Sequence, residues 1–241
     1  MHRFYFPDLN FETEKMEIRD KDEIHHLKNV LRLKSGDEIV VFNGQGIEAA
    51  GEIVSVMERS VSVVISKVKE LIKEGPLITL VCAIPKKAKI EFIIEKATEL
   101  GVDRIIPLIT KRTETKLSRL VLNQKQKRWQ TIAINAAKQS KRATVPQIVP
   151  AVSLLEAFQL TSYAVKIIGS LREEKKSLLD VLQSNKTAKE YAFFVGPEGD
   201  FTPEEYAQAQ RAGCIEVSLG NNVLKVDTAA LTFMAIANAL M

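Results

Sequence analysis

Phe193-Phe194-Val195-Gly196-Pro197-Glu198-Gly199-Asp200-Phe201-Thr202-Pro203-Glu204-Glu205 reads as an apolar strand, a glycine-bearing turn and the opening of a helix. The same pattern recurs shortly afterwards in Val217-Ser218-Leu219-Gly220-Asn221-Asn222-Val223-Leu224-Lys225-Val226-Asp227-Thr228-Ala229-Ala230. Two such turns so close in sequence predict neighbouring loops at the strand ends of an α/β sheet, where ligands bind. The fold class expected from them is α/β with a small-molecule pocket.

Working outward, strands and helices alternate from Leu77 to the C-terminus, which predicts a mostly parallel sheet. Strands are expected at 77–84, 105–109, 163–169, 191–195 and 215–219. Helices are expected at 86–100, 118–140, 175–183 and 226–240, with a further one opening at Pro203 and capped by Thr202. In the first of them Ile90, Ile93, Ile94, Ala97 and Leu100 share one face. The first 70 or so residues read differently. A helical stretch at 22–31 is followed by short Val- and Ile-rich runs at 38–43, 47–57 and 60–68, a small β-barrel pattern. The polar stretch 69–76 ends in Gly75-Pro76 and serves as the linker. The expected division is an N-terminal domain over 1–72 and a catalytic α/β domain over 73–241.

Composition narrows the function. Of 241 residues, 46% are apolar, enough for a sizeable core. No apolar run approaches a membrane span, and Met1-His2-Arg3-Phe4-Tyr5-Phe6-Pro7 lacks the apolar core of a signal peptide, so cytoplasmic residence is expected. Cys82 and Cys214 stand apart in apolar segments, and His2, His25 and His26 accompany no Cys or carboxylate cluster; buried thiols and no metal are expected. The net charge of +4 is unevenly spread: between Pro85 and Val145, 15 Lys or Arg face 5 Asp or Glu, a local charge of +10, leaving −6 for the remainder. A basic middle on an otherwise acidic chain points to a polyanionic partner, with solvated helix faces as the alternative.

In the first loop, glycine permits close backbone approach to a ligand and proline stiffens the turn. Such a loop presents backbone N–H and C=O groups as an edge suited to a heterocycle such as adenine. It is neither GxGxxG nor a P-loop, which disfavours a dinucleotide or triphosphate site. In the second, Val223 and Leu224 form an apolar wall, bracketed by Lys225 and Asp227, with Thr228 near the helix start. Read alone, that segment is an amphipathic helix start, and core packing is the better reading of it.

Together these loops resemble the cofactor-binding end of the SPOUT superfamily, in particular the family that methylates N3 of a uridine in 16S ribosomal RNA. That family carries a Gly-Pro-Glu-Gly loop and then Leu-Gly-x-Arg-(Val/Ile)-Leu-Arg-x-Glu-Thr-Ala. The resemblance extends through His25-His26-Leu27-x-x-Val30-Leu31-Arg32, Gly36-Asp37, Lys96-Ala97-Thr98-Glu99-Leu100-Gly101-Val102, Arg112, and Ala137-Lys138-Gln139-Ser140-x-Arg142 with Pro146. The chain departs from the pattern at Asn222, Lys225 and Asp227, where the family has Arg, Arg and Glu, and at Lys138, where it often has an acid. Lysine cannot reproduce a bidentate arginine contact.

The resemblance implies an N-terminal PUA-like RNA-binding barrel and a C-terminal domain with a deep trefoil knot. It implies S-adenosylmethionine as cofactor, held by Gly196, Pro197, Glu198, Gly199, Leu219, Gly220, Val223, Leu224 and Thr228, with Gly169 and Leu171 as a third wall. It further implies a homodimer, for which Leu231, Phe233, Met234, Ile236, Ala237 and Leu240 of the last helix offer a surface, and 16S rRNA of the small ribosomal subunit as partner. Expected phosphate contacts are Arg32, Arg112, Lys116, Arg119, Lys125, Lys127, Arg128, Lys141 and Arg142. Lys225 and Arg142 are candidates to stabilise charge on the uracil. Asp227 and Glu198 are candidates to relay its proton. The alternative roles are loop bracing for Glu198 and helix capping for Asp227. Two further readings share the fold: a SPOUT enzyme acting on another RNA or another atom, such as a ribose 2′-hydroxyl, and an RNA-binding or ribosome-assembly protein without turnover.

Overall fold

The computed structural model describes residues 1–86, 89–113, 119–172 and 175–240. The chain folds as two compact units, Met1–Lys73 with Ala137–Val145, and Glu74–Ala136 with Pro146–Met241.

The first unit is a curled five-stranded sheet. Its strands are β1 (His2–Tyr5), β2 (Lys15–Ile18), β3 (Glu38–Phe42), β4 (Ile47–Val56) and β5 (Val61–Glu70), in the order β1-β3-β4-β5-β2. β1 runs parallel to β3, and the other neighbours are antiparallel. Register shifts at Ala50/Gly51 and Ile53/Ser55 bend the β4–β5 pair, as bulges do. A core of Phe4, Leu27, Ile39, Val41, Ile53 and Val63 fills the concave face. The helical stretch expected at 22–31 is two pieces: α1 (Lys21–His25), capped by the Asp20 carboxylate on the Asp22 and Glu23 amides, and a π-helical turn over His26–Val30. The wider turn lets Leu27 reach the core, where it is fully buried.

The return segment Ala137–Val145 completes this unit, a feature absent from the contiguous division at 72/73. The Gly46 amide donates to the Ala143 carbonyl (3.2 Å) and the Val145 amide to that of Gly44 (2.9 Å). Gly44 has φ +79°, and a Cβ there would stand 2.9 Å from the Tyr5 ring, so only glycine allows this approach. Arg3 donates to the Arg142 carbonyl (3.1 Å) and to Glu48 (2.9 Å), and stacks on Phe42. Burial would push the Glu48 carboxyl up, but Lys69 and Arg3 outweigh it and hold it below the usual carboxylate range. Lys138 pairs with Glu23 in the same unit.

The second unit is built on an eight-stranded sheet. Along it lie β6 (Leu77–Ala83), β7 (Arg104–Ile109), β8 (Gln147–Ile148), β9 (Val152–Ser153), β10 (Val165–Gly169), β11 (Lys176–Ser177), β12 (Glu190–Val195) and β13 (Ile215–Ser218). The order is β11-β13-β10-β12-β6-β7-β8, with β9 also on β7, and every pairing is parallel. Parallel strands covered on both faces read as continuous apolar runs, and β6 and β12 do so. Phe193 and Phe194 point to opposite faces. Phe193 meets Phe233 on one side and Phe194 meets Phe158 on the other, at 5.1 and 5.2 Å between rings. Each such burial contributes roughly 1.5–3 kcal/mol.

Helices α2 (Lys89–Glu99) and α7 (Val226–Leu240) pack together on the Phe233 side. α4 (Leu154–Leu160) and α6 (Pro203–Arg211) cover the other, with Phe158, Phe201 and Tyr206 in its core. α5 (Leu178–Ser184) follows β11, so the helix expected over 175–183 begins later, after an edge strand. α3 (Arg119–Gln139) is bound to the β8 segment by Gln126 and Gln130, whose side chains bond the carbonyls of Ile148 and Pro146. Thr202 caps α6 as expected, in a capping box with Glu205. α4 has the same device, Ser153 with Glu156, yet falls in a stretch to which periodicity assigns no element. Among the described residues no helix is long and apolar enough to cross a membrane.

The bulge at Gly51 generates a stability prediction. A Cβ at this position would stand 2.6 Å from Val63 Cγ1. Gly51→Ala should therefore lower unfolding free energy by about 1–3 kcal/mol in a denaturant titration. Adding Val63→Ala should cost less on that background than in the wild type, a favourable coupling that shows the clash is the cause.

Candidate functional site

The carboxyl ends of β13, β10 and β12 lie side by side, and the loops leaving them enclose a cavity of about 450 Å³. One wall is Gly169-Ser170-Leu171, the second is Val195-Gly196-Pro197-Glu198, and the third runs from Leu219 to Val226. Phe233 and Ala229 of α7 form the floor. Two glycines set its shape. A Cβ on Gly169 would come within 3.3 Å of the Phe233 ring, and one on Gly196 within 3.0 Å of Phe201. With hydrogen in their place, backbone amides and carbonyls line the space directly. A cavity of this size with backbone polar groups in its walls suits a nucleoside-sized ligand.

Most of the sequence-expected cofactor residues meet here: Gly169, Leu171, Gly196, Pro197, Glu198, Leu219, Gly220, Val223 and Leu224 all line the cavity. Gly199 and Thr228 do not. Val223 and Leu171 stand 77% and 54% exposed, unusual for aliphatic side chains beside a cavity. Gly220 has φ +120°, and Ser218 holds that turn through the Gly220 amide (3.2 Å). Lys175, Asp200 and the Asn221-Asn222 pair also line the cavity. Lys175 carries no motif that would single it out.

The charged candidates divide by their partners. Glu198 Oε1 accepts the Lys86 backbone N–H (3.0 Å), tying the second wall to the end of β6. Asp227 Oδ2 accepts from Lys89 Nζ (3.0 Å), linking the starts of α7 and α2. Burial acts to raise the Asp227 carboxyl, but Lys89 and the amides of Asp227 and Thr228 prevail and hold it below its ordinary range. Its Oδ1 is buried without a hydrogen bond, and Asp227 does not line the cavity. Lys225 does line it, and its ammonium pairs with no carboxylate among the described residues. Arg142 belongs to the first unit, where its guanidinium donates to Thr144 Oγ1 (3.1 Å).

The cations expected on phosphate are spread over both units. Arg32 and Lys141, in the first, are not buried and hold left-handed φ values of 55° and 60°. In the second, Arg112 donates to the carbonyls of Gly199 and Asp200, so it braces the Gly-Pro-Glu-Gly loop. Arg128 pairs with Glu91 of α2 (2.8 Å), and Lys125 is half-buried while Lys127 is exposed on α3. Arg119 opens α3. Lys116 lies outside the described residues.

Burial drives the Cys82 thiol up, helped by the fields of Glu198 and Asp227, and pushes that of Cys214 up to about 12. Both are free and neutral, unsuited to nucleophilic work. No group of His, Cys, Asp and Glu among the described residues could hold a metal ion.

Comparison with known proteins places this geometry in a family. Residues 73–238 match the family described as an RNA methyltransferase domain, and residues 18–66 match the RNA methyltransferase PUA domain. A curated relative from Rickettsia conorii, ribosomal RNA small subunit methyltransferase E, is 31% identical, covering 97% of this chain and 93% of its own. The protein of the same name from Bacillus subtilis is 30% identical over 87% of this chain and 84% of its own. Among solved structures, ribosomal RNA small subunit methyltransferase E from Neisseria gonorrhoeae bound to S-adenosyl methionine superposes with a TM-score of 0.89. It is 31% identical and covers 100% of this chain and 98% of that one. With the methyltransferase domain matched over most of its length and relatives aligned nearly end to end, the chain belongs to the PUA-containing RNA methyltransferase family.

Proposed function

We propose that the protein transfers a methyl group from S-adenosylmethionine to N3 of a uridine in 16S ribosomal RNA, acting in the cytoplasm on the small-subunit RNA as a homodimer. The observation that carries this reading is the cavity at the ends of β10, β12 and β13, where two glycines leave the backbone bare. Its relatives' name supplies the RNA, and the solved relative supplies the cofactor class.

The residues that would hold the cofactor are the backbone groups of Gly169 to Leu171, Gly196 to Glu198 and Leu219 to Leu224, with Leu171 and Val223 as apolar flanks. Bound there, the cofactor supplies a methyl on a sulfonium centre, open to in-line attack. N3 of neutral uracil carries a proton, so the site must favour its loss and the negative charge left on O2 or O4. Lys225 is the group we assign to that charge, because it faces the cavity without a carboxylate partner among the described residues. Glu198 and Asp227 brace the site, each being engaged by an internal donor. Arg142 we place with Arg32, Arg119, Lys125, Lys127 and Lys141 on the RNA backbone, where the binding term is electrostatic. Since N3 lies on the Watson–Crick edge, the target base must be unpaired when it enters.

Nucleoside mass spectrometry tests the reaction itself. 16S rRNA from a strain lacking the gene, incubated with protein and S-adenosylmethionine, should gain N3-methyluridine. A ribose-methylated product or no product would sink the assignment. Gly169→Val, which would crowd Phe233 and Leu219 in the cavity lining, should weaken S-adenosylmethionine binding at least about tenfold by calorimetry. Its circular dichroism should stay native. Lys225→Ala should lower kcat by about 10²-fold with saturating RNA and leave the cofactor KM within a few fold. Unchanged turnover would remove Lys225 from the chemistry.

A further inference from the structure

One side-chain network borders two walls of the cavity and belongs to no part of the mechanism above. Asp200 follows the Gly-Pro-Glu-Gly loop and lines the cavity with φ +62°, a left-handed conformation that costs a non-glycine residue energy. Something must hold it there. The Tyr206 hydroxyl donates to its carboxylate, 2.8 Å from Oδ1 and 3.0 Å from Oδ2, while the Phe201 amide donates to Oδ1 (2.8 Å). The Tyr206 residue is 3% exposed, so this is a hydrogen bond made away from bulk water.

The same tyrosine reaches the opposite wall. The Arg172 guanidinium lies over its ring at 5.3 Å and pairs with Glu216 of β13 at 3.0 Å. Glu216 in turn accepts from Ser170 Oγ (2.8 Å), and Ser170 Oγ accepts the Arg172 amide (3.1 Å). Side chains from β13 and two loops thus close on one buried phenol of α6.

We propose that Tyr206 is a positioning residue: its hydroxyl fixes Asp200 on the 196–200 wall while its ring carries Arg172 of the 170–172 wall, and the two contacts together set the affinity for the cofactor. The proposal rests on the reading of this cavity as the S-adenosylmethionine site. Preorganised walls bind a ligand without the ordering cost that slack loops must meet at binding. Arg172 stacking holds the phenol in place, and Glu216 holds Arg172.

The clamp makes two substitutions informative. Tyr206→Phe keeps the ring and the stacking but removes the hydroxyl. Glu216→Gln, at a residue outside the cavity lining, keeps the side-chain length but removes the charge that holds Arg172 over the ring. Both should raise the S-adenosylmethionine Kd by about tenfold, the scale of one well-placed buried hydrogen bond, with kcat at saturating cofactor within about twofold of wild type. Calorimetry on the full-length protein, with denaturant titrations of each variant, reads these quantities. A residue with only a structural role would move stability and leave Kd alone. If the wild type binds and both variants keep its Kd within twofold, the clamp is refuted while the cofactor site stands. If the wild type itself fails to bind S-adenosylmethionine, the site assignment falls and the clamp falls with it.

Discussion

Parallel pairing of β12 between β6 and β10 is the constraint on which the second unit depends. β12 comes late in the chain, yet it takes a place between two strands already laid down, with Val195 opposite Cys82 and Phe194 opposite Ile168. That insertion sets the Gly196 turn beside the Gly169 turn, and β13 on the far side of β10 adds the Gly220 turn. The cavity is therefore a product of strand order. Both faces of β12 are covered, which is why its run is apolar without alternation and why Phe193 and Phe194 anchor separate cores.

The ionic groups around the site divide into those with internal partners and Lys225, which lines the cavity without a carboxylate partner among the described residues. Glu198, Asp227 and Arg112 bond the strand and helix ends next to the cavity. A carboxylate oxygen that accepts from an internal amide or ammonium fixes the segment that carries it. Lys225 differs because no carboxylate among the described residues holds it. Charge type alone would have treated these residues as equals.

The α/β class and the two loops were legible because parallel strands write unbroken apolar runs and tight turns write glycine. Thr202 before Pro203 was legible as a cap for the same local reason. What periodicity overlooked depended on distant partners. β1 and β2 are each four residues long, too short to show a period. The helix at 22–31 breaks at His25 because Leu27 is drawn into the core, a tertiary demand that no local window contains. α4 could have been found, since Ser153 and Glu156 stand at capping-box spacing. The Asp200–Tyr206 pair could not, because Asp200 in a glycine-like conformation makes sense only once the phenol is placed against it. Nor could the return segment, whose bond from Val145 to Gly44 joins positions far apart in the chain.

That return segment bears on how the protein is made. A chain emerging from the ribosome presents Gly44, Gly46 and Arg3 long before Ala143, Arg142 and Val145, their partners, have been synthesised. The β1–β5 sheet can pair as it emerges, but its final hydrogen bonds wait on vectorial translation of α3. By then β6, α2 and β7 are also outside the tunnel. The two units thus mature in an interleaved order, and an N-terminal fragment ending at the linker would leave this sheet's last partners unmade.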